Sequence, residues 1–185
     1  MNHRGWWLQF RSFWIFPALA IISVTLSMRL SAGASLVELL WLLPIGLFLW
    51  TFLEYVLHRF VFHMESDSDN LHIKHHRQPT DPTFILVVPE FAILISMAIM
   101  AVLLLVTRNA FMTAGIMSGI WTGFLYYETV HYRVHVGERT GSWISQQRHM
   151  HFHHHFRNSK RCFGVTTPIW DYVFRTTAES YGRKT

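Results

Sequence analysis

Apolar residues in this chain gather in four long runs instead of repeating at amphipathic spacing. The first is Ser12 to Met28, and the second is Leu39 to Leu53, which continues helically through Glu54 and His58. The third is Phe84 to Val106, interrupted by Pro89 and Glu90, and the fourth is Ala110 to Tyr127. A helix needs about 20 apolar residues to cross the hydrocarbon core of a bilayer. The third and fourth runs come close to that directly. The first and second reach it with flanks that suit the interface, such as Trp6, Trp7 and Trp41. The pattern predicts an all-α integral membrane protein with about four transmembrane helices. At 185 residues it is expected to form a single domain over residues 1–185. A secretory signal peptide is the rival reading of the first run, from Arg4, Arg11 and Ala32-Gly33-Ala34. The length of that run and its flanking tryptophans argue against it.

The connections are unequal. Arg29 to Ser35 joins the first two runs and Thr107 to Asn109 the last two, whereas Arg59 to Thr83 forms a long loop. Of the 16 Lys and Arg, only Arg29 and Arg108 lie on the side of the short connections. Basic residues accumulate on cytoplasmic loops, which puts both termini and the long loop in the cytoplasm. That distribution accounts for the net charge of +5, so no nucleic-acid partner is expected. A single cysteine, Cys162, rules out an intrachain disulfide. Gly115 and Gly119 form G-x-x-x-G in the fourth run, a spacing that lets helices pack closely.

Histidine carries the candidate chemistry. Of 13 histidines, all but His3 fall between His58 and His76 or between His131 and His155. His58 and His63 are five apart, which is not quite one helical face, so they are expected to straddle a site or sit where the helix ends. His72, His75 and His76 make H-x-x-H-H, and His151, His154 and His155 repeat it. His131 and His135 are four apart, on one face. Neutral imidazole is the commonest metal ligand, and these ten together predict a site for more than one ion. His149 and His153 interrupt the second H-x-x-H-H and are expected to be neighbours of the site.

The histidines lie at or beyond helix ends on the side assigned to the cytoplasm. A haem protein would carry paired histidines inside its spans, and a metal transporter would carry polar groups near mid-membrane. Neither pattern is present. Glu54, four residues before His58, and Glu128, three before His131, are placed to reach the free N–H of a ligand imidazole. Asp81 and Asp171 are candidates for a cap, an ion pair or a contact behind the ligands. Arg133, Arg148 and Arg157 flank the histidines and could hold an anionic head group or a donor protein, or act only as cytoplasmic charges. An all-imidazole site without thiolate suits iron or zinc. Zinc would point to hydrolysis and iron to dioxygen activation, and a site facing lipid has more C–H bonds than hydrolysable ones in reach.

The segments EYVLHRFVFH, LHIKHH, HYRVH and HFHHHFRN, followed by FGVTTPIWDYVF, resemble the fatty acid hydroxylase and sterol desaturase superfamily of membrane di-metal oxygenases. The likeness runs from about Glu54 to Thr176. It is nearest to the fatty acid and sphingolipid 2-hydroxylases, through Phe163-Gly164-Val165-Thr166 to Trp170-Asp171-Tyr172, Pro79-x-Asp81 and Glu128-x-x-His131. The resemblance implies a four-helix membrane bundle with a cytosolic helical cap. It also implies two iron ions held by the ten histidines, with zinc able to take their places in purified material. The activity implied is hydroxylation of a lipid acyl chain, typically at C2, with dioxygen and two electrons, and Glu128 and Asn158 are its candidate catalytic residues. The sequence has no His-Pro-Gly-Gly run, so a separate electron donor is expected, such as a b-type cytochrome or a ferredoxin with its reductase. A sterol or carotenoid hydroxylase or desaturase, and a non-catalytic metal-binding membrane protein, are the alternatives.

Overall fold

The computed structural model describes residues 10–31, 33, 35–63, 70–137 and 141–178. Among them every extended element is helical: α1 (Ser12–Leu30), α2 (Leu36–Val56), a π-helical turn (Leu57–Phe62), α3 (Leu71–Arg77), α4 (Pro82–Ile85), α5 (Pro89–Thr107), α6 (Ala110–Val136), α7 (Ser142–Phe156) and α8 (Ile169–Val173). His3, Arg4, Trp6 and Trp7 lie outside the described residues. The chain divides into two compact units, Met1–Trp50 with Val87–Leu125, and Thr51–Leu86 with Tyr126–Thr185.

In the first unit the centre is α6. Phe111, Ala114, Ile116, Met117, Ile120, Trp121 and Phe124 are all buried. Glycine brings α2 against it: a Cβ on Gly46 would lie 2.0 Å from the Ile116 carbonyl oxygen, and one on Gly119 2.3 Å from that of Leu43. Only hydrogen fits at such a crossing, so the G-x-x-x-G spacing serves helix packing. On another side Phe16 of α1 meets Phe124 edge to face at 5.0 Å. Ser96 of α5 accepts a hydrogen bond from Trp121 Nε1 at 3.1 Å. Arg11, just before α1, pairs with Glu90 in the first turn of α5 at 2.5 Å.

Among the described residues, three stretches are long and apolar enough to cross a membrane: Ser12–Leu30, Leu36–Phe62 and Pro82–Thr107. Their outer faces carry bare apolar side chains, Trp14, Trp41 and Leu105 among them, an exterior suited to lipid. The fourth apolar run does not meet that measure. Its Thr113, Gly115, Ser118, Gly119 and Gly123 are buried among helices, where small residues pack better than leucine. Ser118 satisfies its hydroxyl on the Ala114 carbonyl at 2.8 Å.

The third run is not one continuous helix from Phe84. Pro82 opens the single turn of α4, with Asp81 capping it through the Thr83 N–H at 2.9 Å. The chain then extends at Leu86 and Val88 before Pro89 starts α5. Proline lacks the N–H that a helix interior needs and holds the preceding residue extended, so it begins a helix better than it continues one. The hinge between α5 and α6 is as short as expected, with Arg108 in the left-handed region at φ 49°.

In the second unit the last turn of α2, the π-turn, α3, α4, the end of α6, α7 and α8 surround the histidines.

Candidate metal centre

The π-turn resolves the awkward spacing of His58 and His63. An ordinary helix would leave residues five apart on different faces. The wider turn, closed by i→i+5 hydrogen bonds, brings them to the same side. Their rings stack 5.3 Å apart at 27°. Asn70 then joins this turn to the next element: its Nδ2 donates to the Phe62 carbonyl at 3.0 Å, and its Oδ1 caps α3 through the His72 N–H at 2.9 Å.

Ten imidazoles converge in two groups of five. The first is His58, His63, His72, His76 and His154, and the second is His75, His131, His135, His151 and His155. Helix geometry explains the division. In each H-x-x-H-H the residues four apart share a face and stay together, and the middle one turns to the other group. His72 and His76 therefore join the first group and His75 the second, while His151 and His155 join the second and His154 the first. The groups adjoin, with His76 stacked on His155 at 4.1 Å and 14°.

Within the groups the Nε2 atoms face one another. Neighbouring pairs lie 3.1 Å apart for His58 and His72, 2.9 Å for His63 and His154, and 3.2 Å for His76 and His154. In the second group His131 is 3.1 Å from both His75 and His151, and His135 is 2.8 Å from His151. Adjacent nitrogen donors on a six-coordinate ion with bonds of about 2.1 Å stand about 3.0 Å apart, and on a tetrahedral ion about 3.4 Å.

The Nδ1 atoms of His58 and His154 sit 2.5 Å from the Phe163 carbonyl and 2.8 Å from that of Arg161. A carbonyl only accepts, so each Nδ1 carries the proton and each Nε2 points a lone pair inward. Burial pushes His75 down to about 2 and His76 to about 4, and holds His72, His151 and His154 far below the ordinary imidazole range. These rings are neutral at pH 7. Five converging lone pairs repel one another unless a cation lies among them, so each group could hold a transition-metal ion.

Two buried carboxylates shape the loop that supplies those carbonyls. Glu54 accepts from the Val165 and Thr166 N–H groups at 2.6 and 2.9 Å and from the Thr166 hydroxyl. Glu54 therefore does not bond the His58 ring, as its spacing had suggested; the Phe163 carbonyl takes that place. Asp171 accepts from the Phe163 and Gly164 N–H groups at 3.0 and 2.8 Å and from Thr176 Oγ1 at 2.6 Å. Burial raises the Asp171 carboxyl, opposed by these same hydrogen bonds. Asp171→Ala would strand three buried donors at about 1–3 kcal/mol each, so a lowering of the thermal unfolding midpoint by about 6–36 degrees is expected in a detergent melt.

Glu128 is fully buried on α6, one turn before His131, and the ring of Tyr127 stacks on His131 at 5.4 Å. Asn158 lies in the turn after α7, where its side-chain oxygen accepts the Lys160 N–H at 3.0 Å. His149 is exposed, and His153 approaches Cys162 Sγ at 4.0 Å; neither belongs to a group of five. Arg148 donates to the Gly137 carbonyl at 3.0 Å and leans toward that of His135, closing the end of α6. Trp143 stacks on Tyr126, and Trp170 donates to Thr51 Oγ1 at 2.9 Å. Sequence spacing had not marked the carbonyls of Arg161 and Phe163, because backbone groups leave no residue-type signal, nor Asn70, whose side chain bonds only to backbone.

Two sets of imidazole donors, each of which could hold a metal ion, lie on a helical chain with membrane-length apolar segments, the pattern of a metal-binding membrane protein. The chain belongs to the fatty acid hydroxylase family, whose model matches residues 43–176. It is 31% identical over 172 residues to the dihydroceramide fatty acyl 2-hydroxylase FAH1 of Arabidopsis thaliana, covering 88% of this chain and 72% of that one. It is 31% identical over 180 residues to the fatty acid 2-hydroxylase of Macaca fascicularis, where the coverage is 92% of this chain and 48% of the relative. The chain thus spans about half the length of the macaque protein. A solved structure described as full-length scs7p with only its hydroxylase domain visible shares the fold, with a TM-score of 0.77 at 22% identity over 94% of this chain and 67% of that one.

Proposed function

We propose that this chain is a dioxygen-dependent di-iron hydroxylase that installs a hydroxyl group at C2 of a fatty acyl chain, free or carried by a sphingolipid. The observation that carries the reading is the pair of closed groups, five Nε2 donors in each, in a chain whose named relatives are fatty acid and ceramide 2-hydroxylases. Iron supplies the dioxygen chemistry that an unactivated C–H bond demands, which redox-inert zinc in the same positions cannot. The overall change inserts one oxygen atom into the C–H bond and reduces the other to water with two electrons and two protons, so an electron donor must dock. A b-type cytochrome, or a ferredoxin with its reductase, is the chemistry to expect of it.

The ten histidines hold the two ions, and the Phe163 and Arg161 carbonyls keep His58 and His154 in the binding tautomer. Glu128, fully buried on α6 one turn before His131, is the carboxylate we assign to assist the second group. The family match runs across both compact units, which supports one catalytic domain. Apart from Arg29 and Arg108 the basic residues cluster with the histidine-bearing segments and the termini, which supports a cytoplasmic site and cytoplasmic termini.

Expression in a host lacking 2-hydroxy lipids tests the function. Under isotopically labelled dioxygen, mass spectrometry of saponified lipids is expected to find 2-hydroxy acids carrying one labelled oxygen. An unsaturated or ring-modified product, or hydroxyl oxygen drawn from water, would overturn the proposal.

A further inference from the structure

The two groups of five differ in what stands behind them. In the first, the Nδ1 atoms of His58 and His154 are anchored on the Phe163 and Arg161 carbonyls. In the second, His131 faces the Ile85 carbonyl, and the Nδ1 atoms of His75, His135, His151 and His155 are buried without a hydrogen-bond partner among the described residues. The anchoring loop is itself fixed. Four consecutive N–H groups, from Phe163 to Thr166, are taken up by the carboxylates of Asp171 and Glu54, which are 0% and 3% exposed. Tyr55 extends the clamp through Thr176 Oγ1 at 3.1 Å. A Cβ on Gly164 would fall 2.1 Å from the Thr167 carbonyl oxygen, so only glycine fits at that point of the loop.

A hydrogen-bonded imidazole is held in orientation and made more basic, and losing such a partner typically costs about 10–100-fold in metal affinity. Resting on the two-metal reading above, we infer that the loop from Arg161 to Thr166, clamped by Glu54 and Asp171, makes the two metal positions unequal. The ion in the His58 group is the one retained, and the ion in the His75 group is the one that exchanges. Glu54 and Asp171 are positioning residues for the first ion only, acting through backbone carbonyls.

The test is metal release from full-length, zinc-loaded protein in detergent, followed with a chromogenic chelator. Native protein is expected to give up two ions in two phases of equal amplitude, with rates about tenfold or more apart. His135→Ala should remove the fast phase and leave the slow one. Glu54→Gln should speed the slow phase by about 10–100-fold and leave the fast phase unchanged. Thr166→Val, which removes only the hydroxyl bond to Glu54, should act in the same direction more weakly and guards against misfolding of the Glu54 variant. A helical circular dichroism signal accompanies each measurement. Release of both ions in one phase would overturn the inference, as would equal acceleration of both phases by Glu54→Gln and Thr166→Val. Fewer than two ions in freshly prepared folded protein would instead sink the two-metal reading.

Discussion

His154→Ala is expected to abolish lipid hydroxylation, with a loss of about 1,000-fold or more, the scale seen when one member of a group acting as a unit is removed. His154 is fully buried and is the one residue of α7 that turns to the first group, while His151 and His155 serve the second. No neighbour on α7 can replace it, because residues one position away point about 100° elsewhere. His131→Ala should match it through the second group, since His131 lies 3.1 Å from both His75 and His151. His149→Ala, an exposed change between the two, should keep native activity. Product formed per unit of folded protein, with metal content in parallel, decides the matter. Equal losses in all three variants would mean that the groups of five are not the reacting centre.

The second large effect concerns the fold. Gly46→Val and Gly119→Val should each cost about 3 kcal/mol or more, at the upper end for overpacking. In both cases the added carbon meets backbone, at 2.0 Å from Ile116 O and 2.3 Å from Leu43 O, where no rotamer change relieves the overlap. The α2–α6 crossing would have to open, withdrawing contacts along its length. Ala101→Val, on an exposed face of α5, is the matched control and should stay within about 0.5 kcal/mol. Tryptophan fluorescence during heating in detergent reads both. A Gly46 variant that melts with the control would show that the crossing is looser than the structure has it.

Much of this was legible in the sequence, and the reasons are local. The apolar runs marked the helices because burial in lipid or protein demands them over many residues. The four histidine clusters stood out because imidazole is rare in packing cores and frequent at metals. Which histidine joins which group was not legible from H-x-x-H-H alone. A motif with donors at i, i+3 and i+4 offers two choices of pair, and only the placement of the other helices selects i with i+4. The role of Glu54 was misjudged for a related reason. Its partners, Val165 and Thr166, lie more than a hundred positions away in sequence, and two of its three bonds are to backbone. The break at Leu86 to Val88 was signalled by Pro82 and Pro89, although the apolar run passes over it.

The π-turn at Leu57–Phe62 works as a phase slip in an otherwise regular spiral. Up to Leu53 the order of residues answers mainly to a requirement of length and oiliness; beyond Phe62 it answers to the bearing of one imidazole. A single extra residue lets the two requirements be met by one rod. Wound at ordinary pitch with no residue removed, the segment would leave His58 where it is and swing His63 round by about 100°.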